Sequence, residues 1–382
     1  MKRVDRVRTS LAARVAATAL ILGLGLDAHA VAATSSVQIR AISHNMEGAW
    51  TAWRDGPVIA HGRGNPPSPA SLFSLLLAEL DGGFAPQIVT LQEVCFVAEY
   101  PYLQQQMGQR GYQLAFAPIR AANSQCLPAS TPDCSVAHSC DFGLVLAVKG
   151  GLDAVRAIAI GGDYTDGTDR QFKLLCGELT IAGLGTDGIA ACVTHLRANL
   201  GSSTPAENAP FRATQTANIA EELAAYMNQG KLVVLGGDMN AKPDTDELDH
   251  LYTIQGATGV LYEADQIDPR YFTSECLDAG RGSCRTGELT ESAISAHSDP
   301  TAQPGDSSYP YWATLADRTY GLKYDYVFYG APDHTRFTDF SAACVRDAHS
   351  DHGLYRAAAL YTAAGGAAAV SASLGGPHCE DP

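Results

Sequence analysis

The sequence predicts an α/β fold of the α+β kind, with two central mixed β-sheets flanked by helices and a functional site at the strand ends. Short apolar runs typical of buried strands recur along the whole chain. Amphipathic helices and hairpins alternate with these runs. Most of the runs end in an acid, an amide or an imidazole. Packing does not require polar residues there, so this last observation indicates a site.

The predicted strands are short and are separated by turn residues. They cover residues 37–43, 87–91, 189–193, 231–235, 322–329 and 354–361, and a hairpin is expected between Phe172 and His195. Residues 68–83 begin with Ser68-Pro69 and end in a Gly-Gly pair, which is the pattern of helix ends. Residues 212–227 repeat apolar side chains at helical spacing. We therefore expect a helix in each of these two segments.

The first thirty residues have the pattern of a secretory signal peptide. Five basic residues precede or begin the apolar run 15–26, and Ala28 and Ala30 form an Ala-x-Ala cleavage site after residue 30. The apolar run is too short to span a bilayer. We expect a secreted, extracellular monomer without a stable membrane anchor.

The remaining chain, residues 34–382, is expected to form a single domain. Residues 251–320 lack periodicity and are rich in Gly, Ser, Pro and Tyr, so they are predicted to be a long irregular insertion. Residues 363–382 form a tail of small residues.

The net charge of the chain limits the ways in which it could bind a nucleic-acid substrate. The full chain has a net charge of −15, and removal of residues 1–30 leaves 21 basic and 39 acidic residues, a net charge of −18. This excess excludes a broad basic face for non-specific attraction of nucleic acid. Any nucleic-acid substrate would depend on local basic clusters and divalent cations.

Ten cysteines in a secreted chain predict disulfide bonds, and the lack of a Cys-x-x-Cys motif argues against structural zinc. Loop and hairpin positions favour three pairs, and two more follow by elimination. The expected pairs are Cys276–Cys284, Cys126–Cys134, Cys176–Cys192, Cys95–Cys140 and Cys344–Cys379. Sequence alone leaves the connectivity open, including free buried thiols at some positions.

Six short motifs carry the polar residues at the strand ends. They are Ser43-His44-Asn45-Met46-Glu47-Gly48, Leu91-Gln92-Glu93, Thr194-His195-Leu196, Gly236-Gly237-Asp238-Met239-Asn240-Ala241-Lys242-Pro243, Lys323-Tyr324-Asp325-Tyr326-Val327 and Ser350-Asp351-His352. In these motifs and their order the chain resembles the endonuclease/exonuclease/phosphatase superfamily, which includes deoxyribonucleases, apurinic-site nucleases, sphingomyelinases and inositol-polyphosphate 5-phosphatases. The resemblance implies a four-layer sandwich and a metal-dependent hydrolase of phosphoesters.

A phosphodiester attacked by water develops negative charge, so the site needs a cation, hydrogen-bond donors and a base. Glu93 is the expected ligand of Mg²⁺ or Mn²⁺, with Asn45 and Glu47 assisting. His195 and Asn240 are expected to donate to phosphate oxygens.

Asp238 and the Asp351-His352 pair compete for the role of base. His352 is a candidate because a carboxylate such as Asp325 would orient or charge it. Our interpretation favours Asp238 as the base, with a charged His352 holding the phosphate. A second divalent ion near Asp238, Asn240 and Asp351 stays open as an alternative.

The sequence is compatible with several substrate classes. Nucleic acid or another phosphodiester is expected first, with Trp50, Trp53 and Arg54 in one loop and Trp312 in another as contacts. The alternatives are a sphingomyelinase-like phospholipid phosphodiesterase, an inositol or other small-phosphoester phosphatase, and a non-catalytic binding module. The acidic loop of residues 161–169 lacks the spacing of a calcium-binding motif, which favours a solvated turn over a structural Ca²⁺ site.

Overall fold

The computed structural model of the protein describes most of the expected strands. The described residues are 36–46, 68–120, 126, 141–161, 171–181, 188–199, 204–253, 257–266, 285, 287, 289–292, 320–332, 337–345, 347, 350, 352–362 and 379. The signal-peptide segment 1–30 lies outside these residues, and so does the tail 363–382 apart from Cys379. The predictions for both segments stay predictions.

Strands dominate the described chain. They are β1 (Ser36–Asn45), β2 (Ile88–Cys95), β3 (Tyr112–Arg120), β4 (Phe142–Lys149), β5 (Asp153–Ala159), β6 (Lys173–Leu179), β7 (Ile189–His195), β8 (Leu232–Asp238), β9 (Tyr262–Glu263), β10 (Glu291–Ser292), β11 (Tyr320–Leu322), β12 (Asp325–Gly330), β13 (Phe337–Val345) and β14 (Leu354–Thr362). The α-helices are α1 (Pro69–Leu72), α2 (Ser74–Asp81), α3 (Tyr100–Gly108) and α4 (Pro205–Asn228), and a short 3₁₀ turn covers Asp246–Leu248.

Two six-stranded sheets form the centre of the fold, as the sequence predicted. The first has the order β13-β14-β1-β2-β4-β3, and the second has the order β5-β6-β7-β8-β12-β9. Each sheet is mixed. The parallel pair is β1 with β2 in the first sheet and β7 with β8 in the second, and all other neighbours in the two sheets are antiparallel. The four-layer α/β sandwich is thereby confirmed. Parallel neighbours end at the same edge of a sheet, so each sheet presents two strand ends together.

The two sheets pack face to face across an apolar core. Gly236 of β8 is required for this approach, since a Cβ atom there would lie 2.2 Å from Oγ1 of Thr90 on β2. Thr90 is held in that position because its hydroxyl donates to the carbonyl of Ile42, 2.9 Å away. The second glycine of the Gly236-Gly237 pair is equally tight against the backbone of Thr194, at 2.4 Å. Gly236 therefore sets the spacing of the layers, and Gly237 allows β8 to lie close to β7, just before Asp238.

The helices differ from prediction at their ends. The segment expected to be one helix over residues 68–83 is two, because Phe73 leaves the helical conformation between α1 and α2. The helix expected at 212–227 begins at Pro205, where Thr204 and Glu207 form a reciprocal capping box. The first turns of this helix are polar, so the apolar periodicity did not indicate the earlier start.

Three disulfide bonds join described cysteines: Cys95–Cys126, Cys176–Cys192 and Cys344–Cys379. The last two pairs confirm the prediction. The expected Cys126–Cys134 and Cys95–Cys140 pairs are wrong, because Cys126 bonds to Cys95 at the end of β2. Loop proximity suggested a local partner for Cys126, whereas the fold brings a distant strand end to it. Cys276 and Cys284 lie outside the described residues.

The segment 251–320 is only partly irregular where it is described. It supplies β9, which pairs with β12, and β10, which pairs with β11. Thr290 just before β10 accepts hydrogen bonds from the backbone of the Asp325 strand. The segment therefore contributes to the framework beside the predicted site. Within the described part of the chain, no helix is both long and apolar enough to cross a membrane.

Candidate active site

Five strand termini, three from the second sheet and two from the first, converge on the predicted site. In the second sheet, Asp238 pairs with His195 on one side and with Asp325 on the other. In the first sheet, Asn45 lies beside Gln92, and Glu93 follows. Paired residues have their side chains on the same face of a sheet, so the His, Asp and Asp side chains project together. This is the juxtaposition that the strand-end pattern predicted.

Glu93 is turned into the site by an irregularity in β2. The pairing of β2 with β4 shifts register between Leu91 and Val94, and Glu93 has a φ of 61°. A left-handed conformation is unfavourable for a residue with a side chain, and such strain is often retained at functional sites. The amide Nδ2 of Asn45 lies 3.4 Å from Oε1 of Glu93. The bulge thus sets a carboxylate and an amide side by side.

Asp238 is the centre of the hydrogen-bond network. Nδ2 of Asn45 donates to its Oδ2 atom at 3.0 Å, and Nε2 of His195 lies 3.4 Å from the same oxygen. The backbone N–H of Asn240 donates to the other oxygen, Oδ1, at 2.8 Å. Nε2 of His352 approaches Oδ2 to 3.8 Å.

Burial controls the protonation of Asp238. Its side chain is 2 % exposed, and this loss of water raises the pKa of the carboxyl to about 7. The charge of His352 opposes the increase, the charge of Asp325 adds to it, and the hydrogen bonds from Asn240 and Asn45 oppose it. A carboxyl with a pKa near neutrality can both accept and release a proton at physiological pH.

His352 is oriented by Asp325. Its Nδ1 atom lies 2.7 Å from Oδ2 of the carboxyl group, and both side chains are buried. Because a carboxylate accepts a proton, this contact assigns the hydrogen to Nδ1 and directs Nε2 towards Asp238. The backbone N–H of His352 is held by the Ser350 hydroxyl, which donates to the carbonyl of Asn45.

Asn240 occupies the turn after β8 with a φ of 47°, a conformation that asparagine tolerates. Its Nδ2 atom donates to the carbonyl of Leu196 at 3.2 Å, directly after His195. One of its two amide protons therefore fixes the loop that carries His195. The second amide proton is the donor that the sequence analysis assigned to a phosphate oxygen.

Several predicted site residues lie outside the described part of the chain. They are Glu47, Trp50, Trp53, Arg54, Trp312 and Asp351. Their roles stay predictions, and so does the interpretation of the acidic loop, of which only Gly161 is described.

The donor set at Asn45 and Glu93 fits a hard divalent cation. Magnesium is usually bound through one or two carboxylates and keeps several waters. The Glu93 carboxylate is 18 % exposed and therefore reachable, while the adjacent Asn45 is nearly buried. Among the described residues there is no cluster of three or more His, Cys, Asp or Glu side chains that could hold a metal.

Three positioning contacts were not found by sequence reasoning. Thr290 accepts hydrogen bonds from the backbone N–H groups of Tyr324 and Asp325, at 3.2 and 2.9 Å. Its carbonyl accepts from the N–H of Gly353, next to His352. A buried contact of 3.2 Å joins Nε2 of His44 to Oδ2 of Asp347. A threonine in an aperiodic segment gives no sequence signal, whereas His44 lay within a motif already recognised.

The sequence comparisons agree with this geometry. The sequence profile of the Endonuclease/Exonuclease/phosphatase family matches residues 29–352. No curated protein matches the chain.

Solved structures of the same fold cover most of the chain at low identity. The human Nocturnin catalytic domain with bound sulfate anion is 17 % identical, with a TM-score of 0.53, over 86 % of this chain and 97 % of that one. A family protein from Bacteroides thetaiotaomicron is 11 % identical, with a TM-score of 0.51, over 86 % and 99 %. Humanized D. rerio TDP2 is 14 % identical, with a TM-score of 0.50, over 84 % and 98 %. At these identities the likeness establishes the fold alone.

Proposed function

The chain belongs to the Endonuclease/Exonuclease/phosphatase family, whose members hydrolyse phosphoester bonds, and on that premise we propose that it is a divalent-metal-dependent phosphodiesterase that cleaves nucleic acid. The observation that carries the proposal is the set of nitrogen atoms around the Oδ2 atom of Asp238. Asn45, His195 and His352 all direct nitrogen atoms at this oxygen, from distances of 3.0, 3.4 and 3.8 Å. A purely structural carboxylate would not need three such neighbours beside a strained glutamate.

Asp238 acts as the base in this proposal. Its buried carboxyl has a pKa of about 7, so a large fraction is ionised at neutral pH and can take a proton from an attacking water. The Asn240 backbone holds the second oxygen and thereby fixes the carboxylate plane. The base is therefore preorganised before substrate arrives.

His352 and His195 hold the phosphate. In its charged form, His352 keeps one proton on Nδ1 for Asp325 and presents the other, on Nε2, to an equatorial phosphate oxygen. His195 donates from Nε2 on the opposite side of Asp238. Donors aimed at oxygens that gain charge in the transition state lower the barrier more than they strengthen ground-state binding.

Glu93 and Asn45 would hold the cation through their side-chain oxygens. A bound Mg²⁺ or Mn²⁺ would neutralise charge on the phosphate. Glu93 supplies the anionic ligand, and its exposure leaves a route for exchange with solvent. Glu47 is proposed as a further ligand of the same cation.

We also propose that the protein is secreted. The signal peptide that the sequence predicts over residues 1–30 supports this location, and so do three disulfide bonds between described cysteines. An oxidising compartment is where such bonds form and persist.

A substrate panel tests the proposal. Purified protein without residues 1–30 is incubated with Mg²⁺ and plasmid DNA, RNA, sphingomyelin liposomes, bis(p-nitrophenyl) phosphate or inositol polyphosphates. We expect cleavage of nucleic acid and of the small diester, and loss of both with EDTA. Asp238→Asn is the matched inactive control. Turnover of lipid or inositol phosphates alone would overturn the nucleic-acid assignment, and inactivity on every substrate would overturn the enzymatic one.

A further inference from the structure

Lys173 continues a row of site residues across the second sheet. In that row Asp325 pairs with Asp238, and Asp238 pairs with His195. The next strand, β6, is antiparallel to β7, and the pair nearest the site is Leu174 with Thr194. One further step in this register sets Lys173 opposite His195. The hydroxyl of Thr194 also donates to the carbonyl of Lys173 at 3.0 Å, which confirms that the two strand ends lie together.

The side chain of Lys173 is on the face that meets the first sheet. Residues two positions apart on a strand share a face, so Lys173 shares its face with Gly177. A Cβ atom at Gly177 would lie 2.3 Å from Leu152 and 3.4 Å from Leu146 of β4, which belongs to the first sheet. His195 and Asp238 project from the same face. Lys173 therefore lies at the edge of the cleft that holds the site.

The ammonium group of Lys173 has no close anionic partner in the part of the chain that is described. It is half-buried, and this burial lowers its pKa, while the charge of Asp141 raises it. A cation that has lost water without gaining an ion pair is in an unfavourable setting. By contrast, Lys231, which directly precedes β8, is paired with Glu178 of β6. An anionic ligand at Lys173 would compensate for the lost water.

We propose that Lys173 binds a second phosphate group of the substrate, adjacent to the phosphodiester that is cleaved. This inference rests on the proposed phosphodiesterase function and extends it to substrates that carry consecutive phosphates, as a nucleic-acid strand does. Neighbouring strands are about 4.8 Å apart, so the Lys173 backbone lies about 5 Å from that of His195 and about 10 Å from that of Asp238. That spacing suits a neighbouring phosphate group better than the one under attack.

The test compares dinucleotides that differ by one phosphate. Thymidylyl-thymidine contains only the scissile diester, whereas its 5′- and 3′-phosphorylated forms carry a second phosphate on one side or the other. We expect the wild type to cleave one phosphorylated form with a kcat/KM roughly tenfold or more above the unphosphorylated form, as one charged hydrogen bond allows. Lys173→Met, which keeps the length but removes the charge, should lose this preference and retain cleavage of the unphosphorylated form. Lys149→Met, at the far end of β4, is the control.

Binding separates this inference from the proposed function. In an Asp238→Asn background, the salt dependence of oligonucleotide binding is measured by fluorescence anisotropy, with and without Lys173→Met. Loss of one phosphate contact should lower the salt slope by about one. If no dinucleotide is cleaved but the slope still falls, the nuclease proposal fails and the Lys173 site stands. An unchanged slope, or an equal loss of cleavage on all three dinucleotides, would overturn the Lys173 site.

Discussion

Replacement of Asp238 by asparagine should stabilise the metal-free protein at alkaline pH. Burial raises the pKa of this carboxyl from 3.8 to about 7, against the attraction of His352 and with the repulsion of Asp325. Because the folded pKa lies above the unfolded one, folding disfavours the ionised carboxylate. The resulting cost is absent below about pH 4 and complete above about pH 7. Asparagine is neutral throughout and avoids it.

The size of the effect follows from the two pKa values. An increase from 3.8 to about 7 corresponds to roughly 4 kcal/mol. The amide oxygen of asparagine can accept from Asn45 or from the backbone of Asn240, so the hydrogen bonds are lost only in part. If that loss costs about 2 kcal/mol at every pH, we expect a net stabilisation of about 2 kcal/mol at pH 8 and a net destabilisation of about 2 kcal/mol at pH 4.

Thermal unfolding, followed by circular dichroism in EDTA from pH 4 to pH 8, measures the difference. Asp153→Asn, at an exposed position on β5, is the matched control and should show no such trend. A melting temperature of Asp238→Asn below that of the wild type at pH 8, or a difference that does not change with pH, would refute the reasoning.

Three further predictions follow from the same contacts. Thr290→Val removes the acceptor for the backbone of the Asp325 strand and should lower kcat roughly 10- to 100-fold, whereas Thr290→Ser should retain activity. Asp238→Asn and His352→Ala should each lower kcat on the order of 10³-fold, and the double variant should lose little more, because the two groups serve one transition state; additive losses would contradict this. Gly236→Ala should lower the unfolding free energy by about 1–3 kcal/mol, measured by guanidinium denaturation, since its Cβ would meet Thr90.

Sequence reasoning identified the strand ends because their chemistry is local. Asp238 follows an apolar run directly, and His195 and Asn45 end theirs, so periodicity and polarity suffice to pick them out. The pairing of Asp325 with His352 was expected as a possibility and is present at 2.7 Å. The bulge that turns Glu93 was not predicted, because a register shift depends on the partner strand.

The contacts that sequence reasoning missed depend on tertiary placement. Thr290 lies in an aperiodic segment, and its role arises only where that segment meets β12. Cys126 bonds to Cys95 across 31 positions in place of the nearby Cys134 that loop length favoured. Lys173 has no motif around it, and its relevance follows from the cross-strand register. Local sequence patterns carry no information about contacts between segments that are distant in the sequence.

The central claim is that Glu93 and Asp238 belong to one metal-assisted centre that hydrolyses phosphodiesters. Cleavage of supercoiled plasmid across a Mg²⁺ titration, by the wild type and by Glu93→Gln, tests it most directly. The account predicts that the wild type nicks DNA only with the cation and that Glu93→Gln, folded by circular dichroism, is inactive or needs far more Mg²⁺. Nicking by Glu93→Gln at the wild-type rate, or by the wild type in EDTA, would contradict it.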